Sequence, residues 1–171
     1  MECDLVMTLS VSLDTNLFYD KAENREGVEA FDTIVNLARH GKVQLWWTPT
    51  TDLEDQSGVA IRIALRLMAE GVLGEAPGIG TPREYIPGAP YPHAEDTTAC
   101  EELLQAIWPG ERWRSATDNK QNDVRHLLAH RINGFDIIAT GDVKILQKRR
   151  LLRDKFNIVV MTTNELLLQI R

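Results

Sequence analysis

Two acidic residues fall just past apolar runs in this chain. Asp14 closes Val11-Ser12-Leu13-Asp14-Thr15-Asn16, and Asp142 closes Asp136-Ile137-Ile138-Ala139-Thr140-Gly141-Asp142. In an open α/β sheet, ligands bind just beyond the carboxyl ends of the strands. Two carboxylates placed there can share one site although they lie far apart in sequence. A shared acidic site suits a divalent metal, and a metal at such an edge suits phosphate chemistry. Each acid also has a plainer role. Asp-Thr-Asn makes a good Asx turn or helix N-cap, and Asp142 precedes a predicted helix that it can cap.

Two more acids join the set. Thr48-Pro49-Thr50-Thr51-Asp52-Leu53-Glu54-Asp55 follows a second apolar run. Glu54 stands three residues after Thr51, the spacing of a capping box, and Asp52 is a nearby substitute for it. Asp123 opens the helix that feeds the Asp142 strand. At 100° per residue, Val124, Leu127, Leu128 and Ile132 define that helix's buried stripe, and Asp123 lies at its border. His126 and His130 fall on Asp123's side of the helix. They are expected as phosphate contacts or surface residues rather than as metal ligands. Asp136 stands at the amino end of its strand, so capping or exposure is expected there instead of catalysis.

The elements that must position these acids alternate. Residues 5–13, 43–47, 136–140 and 156–161 read as strands. Helices are predicted over 26–40, from Thr48-Pro49 to Gly71, and over 97–107, 119–133, 143–153 and 163–170. Thr162 and Glu165 form a capping box for the last helix. Residues 72–96 are rich in Gly and Pro without periodicity and read as a long loop. The expectation is a single domain over 1–171, a three-layer α/β/α sandwich with a mainly parallel sheet of four or five strands. A loop and helix insertion is expected at about 72–115.

Composition narrows the class. With 171 residues, 43% hydrophobic and 26% charged, the chain fits one ordinary globular domain. No apolar run is long enough to span a membrane. The start is acidic, unlike a signal peptide, and the two cysteines, Cys3 and Cys100, are too few for a disulfide framework. A cytoplasmic location is expected. The net charge of −6 hides an asymmetry. Residues 1–111 carry −12 and residues 112–171 carry +6. Lys144, Lys148, Arg149, Arg150, Arg153 and Lys155 crowd the stretch after Asp142. That run can grip phosphates, or it is a solvated helix face. Trp46, Trp47, Trp108 and Trp113 include two in or beside the insertion that suit an interface, for instance in a homodimer.

Taken together, the motifs resemble those of the PIN domain, the nuclease fold of toxin–antitoxin toxins and many RNA-processing enzymes. Leu13-Asp14-Thr15-Asn16 resembles the family's opening motif, and Thr48 through Glu54 its segment after the second strand. Asn122-Asp123-Val124-Arg125-His126-Leu127-Leu128 and Gly134 through Asp142 resemble its third and fourth acidic segments. The insertion departs from the compact toxins. The resemblance implies a metal-dependent ribonuclease with Asp14, Glu54, Asp123 and Asp142 as catalytic acids. Asp14, Asp123 and Asp142 would hold Mg²⁺ or Mn²⁺. The implied partners are single-stranded RNA and, for a toxin, an antitoxin protein. Asn16, Thr140, Lys144 and Lys148 would position substrate or water.

Electrostatics agrees with a cation. At an effective dielectric near 20, two carboxylates roughly 5 Å apart repel by about 3 kcal/mol. Such a cluster needs protonation, pairing or a metal. Two other classes fit parts of the pattern. A catalytically inactive PIN-like module would bind nucleic acid or protein on the same scaffold. A phosphatase of the haloacid dehalogenase type also places Asp at the end of strand one, but needs a second Asp where this chain has Asn16.

Overall fold

The structure, a computed structural model, describes residues 8–48, 58–77 and 94–170, with the side chains of 94–97 left aside. Five parallel strands form one sheet in the order β3-β2-β1-β4-β5. They are β1 (Leu9–Leu13), β2 (Val43–Trp47), β3 (Leu73–Glu75), β4 (Ile137–Ala139) and β5 (Val160–Met161). The helices are α1 (Thr15–Ala22), α2 (Val28–Arg39), α3 (Val59–Ala69), α4 (Ala94–Ile107), α5 (Asp118–Asn133), α6 (Val143–Gln147), α7 (Arg149–Phe156) and α8 (Thr163–Ile170). Each parallel pairing needs a crossover, and the helices supply them.

Strand alternation divides the core in two. Val11, Leu13, Leu45, Ile137 and Ala139 face one layer, packed with Phe18, Ile34, Ala64 and Leu166 from α1, α2, α3 and α8. Ile138 and Val160 face the other, packed with Leu103, Leu127, Ile145 and Leu152 from α4, α5, α6 and α7. The result is the expected α/β/α sandwich. Each fully buried Leu or Ile contributes roughly 1.5–3 kcal/mol through burial alone.

Several boundaries differ from those read in the sequence. Helix α1 was not anticipated, because Asp14-Thr15-Asn16 reads as a turn. Gly58 has φ +68° and caps α3 in a left-handed conformation. A continuous helix starting at Thr48-Pro49 is therefore excluded, although residues 49–57 lie outside the described part. The Gly-rich stretch holds a strand, β3, at the sheet edge. Gly74 is needed there, since a Cβ would come within 2.7 Å of the Trp46 ring. Residues 78–93 of the expected loop lie outside the described residues, as do 5–7 of the first strand. The predicted helix 143–153 divides at Lys148 (φ −97°, ψ 4°) into α6 and α7. Phe156 ends α7 and is not a strand residue; only Val160–Met161 pair as β5.

The described part of the 72–115 stretch packs into the fold. Leu103 and Leu104 of α4 are fully buried in the second core. Its two tryptophans are half-buried and carry cations over their rings, Lys120 on Trp108 and Arg125 on Trp113. These contacts tie both rings to α5. Among the described residues, no helix is long and apolar enough to cross a membrane.

Candidate functional site at the β1–β4 edge

Strands β2 and β3 lie on one side of β1, and β4 and β5 on the other. The connections reverse direction between β1 and β4, which opens a crevice at their carboxyl ends. Asp14 follows β1 directly, and Thr140 follows β4. The backbone ties the two ends together, with the Asp14 N–H donating to the Ala139 carbonyl at 3.0 Å.

Asp14 is 6% exposed and Thr140 wholly buried. The Thr140 hydroxyl donates to Asp14 Oδ2. The same hydroxyl oxygen accepts from the Asp142 N–H at 3.0 Å and from the Asn16 side-chain amide at 3.4 Å. A hydroxyl has one proton and two lone pairs. With both lone pairs taken by N–H donors, its proton goes to Asp14 Oδ2. Asn16 is oriented in turn, because its Oδ1 accepts from the Gly141 N–H at 3.3 Å.

Asp142 caps α6. Its Oδ1 accepts from the Lys144 and Ile145 amides at 2.7 and 2.9 Å. The capping role read in the sequence is thus real, and it occupies one carboxylate oxygen. Asp14, at the N-cap position of α1, makes no side-chain cap bond. The two acids therefore sit alike in sequence but differ in what holds them.

Helix α5 runs back along the sheet face and carries Asp123, which is half-buried. Lower on the helix, His130 Nδ1 meets the Ser12 hydroxyl at 2.8 Å. One turn above, His126 meets two hydroxyls, Thr15 at 3.2 Å through Nε2 and Thr48 at 2.9 Å through Nδ1. Asp123 lies a further three residues on, about 4.5 Å higher along the axis at 1.5 Å per residue. That level is beyond the strand ends, on the face shared with His126.

The histidines correct the sequence reading. Both are buried, His126 at 5% and His130 at 1% exposure, so neither is the surface residue the sequence suggested. Burial pushes His130 down to a pKa of about 4, against a smaller upward pull from Asp136. It is neutral at pH 7. Its Nε2 has no hydrogen-bond partner among the described residues. Ile132, expected in the buried stripe, is 54% exposed, and His130 takes the interior position instead.

Asp136 behaves as expected of the amino end. Its Oδ2 accepts from the Ser10 N–H and hydroxyl at 2.7 and 2.6 Å. Those bonds hold its carboxyl below the usual range. Glu54 and Asp52 lie outside the described residues. Among the described residues, no three His, Cys, Asp or Glu side chains gather closely enough to hold a metal ion. Lys144 is exposed at the start of α6, and Lys148 stands at the α6–α7 break, so they do not share one continuous helix face.

Asp20 was not singled out in the sequence. It lines a cavity of about 300 Å³ with Thr140, Gly141, Thr162 and Thr163. A Cβ on Gly141 would come within 3.4 Å of Asp20 Oδ2. Its only signal was helical spacing from Asn16, which has no force until α1 is recognised. Compared in sequence with known proteins, the chain matches no family model and has no significant match to any curated protein.

Proposed function

We propose that this protein is a PIN-like, Mg²⁺- or Mn²⁺-dependent endoribonuclease that hydrolyses phosphodiester bonds of single-stranded RNA. The observation that supports this reading is the Asp14–Thr140–Asp142 junction at the sheet's topological switch point. Hard oxygen donors gather there, and such donors suit Mg²⁺ or Mn²⁺ over softer metals. Asp14 and Asp142 would hold the ion, with Asp123 and Glu54 completing its surroundings. When bound, such an ion neutralises charge on the phosphate and lowers the pKa of water.

The chain's own groups supply the positioning. Thr140 holds the Asp14 carboxyl in place at the edge. Asn16 fixes the Thr140-Gly141 turn, so the two acids keep their spacing. Asp142 stays anchored through the capping oxygen and presents the other. Lys144 and Lys148, just beyond Asp142, attract phosphate by charge rather than by bidentate geometry. No side-chain nucleophile is required.

This reading carries a cytoplasmic location with it, RNA as the partner, and an antitoxin protein if the chain acts as a toxin. A binding-only module is the second reading, favoured by the absence of a three-ligand cluster among the described residues. One assay separates them. Labelled single-stranded RNA is incubated with the wild type and Asp14→Asn, in Mn²⁺ and in chelator. Cleavage that needs both the ion and Asp14 is expected. Binding of RNA without any cleavage would favour the inactive module.

A further inference from the structure

His126 joins three parts of the candidate site. Its two ring nitrogens meet hydroxyls from two different strand ends, Thr15 beside Asp14 and Thr48 at the end of β2. Its own helix, α5, carries Asp123 one turn above. We propose that His126 is a positioning residue that sets the spacing of Asp123 and the end of β2, at Thr48, relative to Asp14, and so sets the affinity of this edge for a divalent cation. The inference rests on the reading of the edge as a cation site.

The chemistry requires an imidazole or a close mimic. One ring nitrogen donates its proton to a threonine hydroxyl, and the other accepts from the second hydroxyl. Either tautomer satisfies both bonds. His126 is 5% exposed, and both threonines are 2% exposed, so water has little access to replace a missing bond. A histidine that merely filled the core would need only one such bond. His130 is that case, with Ser12 on one nitrogen and nothing on the other among the described residues. Outer partners that orient ligands typically change metal affinity by about 10–100-fold when removed.

The test measures Mn²⁺ binding by calorimetry on the full chain, below each variant's unfolding temperature. His126→Phe keeps an aromatic ring and removes both bonds, so Mn²⁺ affinity is expected to fall at least about tenfold. His126→Gln retains a donor and an acceptor and is expected to recover most of that affinity. His130→Phe breaks the neighbouring Ser12 bond on the same helix and should leave Mn²⁺ affinity unchanged. A wild type that binds Mn²⁺, with His126→Phe binding equally well, overturns the role of His126 alone. A wild type that binds no Mn²⁺ overturns the cation site itself, and this inference with it. Equal weakening in His126→Phe and His130→Phe would reduce His126 to general packing and also overturn the proposal. If His126→Phe does not fold, Thr48→Val removes one of the two bonds. A severalfold weakening there supports the clamp, and unchanged affinity contradicts it.

Discussion

The Thr140 hydroxyl donates to the Asp14 carboxylate across 126 residues of sequence. This bond joins the ends of β1 and β4 at the point where the sheet's connections reverse. Because Asp142 N–H and Asn16 occupy the hydroxyl's acceptor positions, the arrangement also fixes which group carries the proton.

Removing that hydroxyl tests the relationship. Thr140→Val keeps the shape and removes one donor from the buried Asp14 carboxyl. A destabilisation of about 1–3 kcal/mol in urea unfolding is expected. Thr140→Ser keeps the donor and should be much closer to wild type. Equal unfolding midpoints for Val and wild type would show that Asp14 does not depend on Thr140.

Acid should weaken the fold in two stages. His130 is near pKa 4 when folded and close to 6.5 when unfolded. Its stabilising contribution is complete above pH 6.5, where both states are neutral. As pH falls towards 4 the unfolded chain takes the proton and the fold does not, so stability drops by up to about 3 kcal/mol. Asp136, held low by the Ser10 hydroxyl and N–H, adds a later decrease. So does Glu165, held low by the Thr162 N–H and by Arg149. Both decreases come as the pH falls below about 4. In urea unfolding, the stability of His130→Phe should fall less steeply than that of wild type between pH 6.5 and 4.5. A wild-type slope in that variant would assign the proton elsewhere.

The basic run should govern RNA affinity rather than the choice of cut. Lys144→Ala with Lys148→Ala removes two charges beyond Asp142. The log–log salt slope of single-strand binding is expected to flatten by about 0.7 for each phosphate that no longer has a lysine beside it. An unchanged slope would mark these lysines as a solvated surface and move the RNA path towards Arg149, Arg150 and Arg153.

Much of the architecture follows from periodicity. Apolar alternation located β1, β2 and β4, and the Thr162–Glu165 capping box appears with both of its bonds, at 3.0 and 3.2 Å. What periodicity hides is equally physical. β3 is three residues long and contains a glycine that exists to admit Trp46, so it carries no strand signature. α1 opens with Asp14 as its N-cap and then Thr15 and Asn16, three polar residues that suit a turn equally well. The histidines on α5 were misplaced because polarity alone suggests exposure. Their partners, Ser12, Thr15 and Thr48, are distant in sequence and supply the bonds that make burial tolerable. The acids at the β1 and β4 ends were legible because the chain order of an α/β sheet puts strand ends together. Asp20 was not, because its neighbour Gly141 comes from 121 residues away.

The central claim is that Asp14 and Asp142 hold a divalent cation at the β1–β4 edge. Crystals of the protein grown with Mn²⁺ and measured for anomalous scattering test it most directly. A cation held there gives a peak within bonding distance of carboxylate oxygens of both residues, about 2.0–2.4 Å away, which is absent in Asp14→Asn. A structure with Mn²⁺ bound elsewhere, or with no peak at this edge at millimolar Mn²⁺, would contradict it.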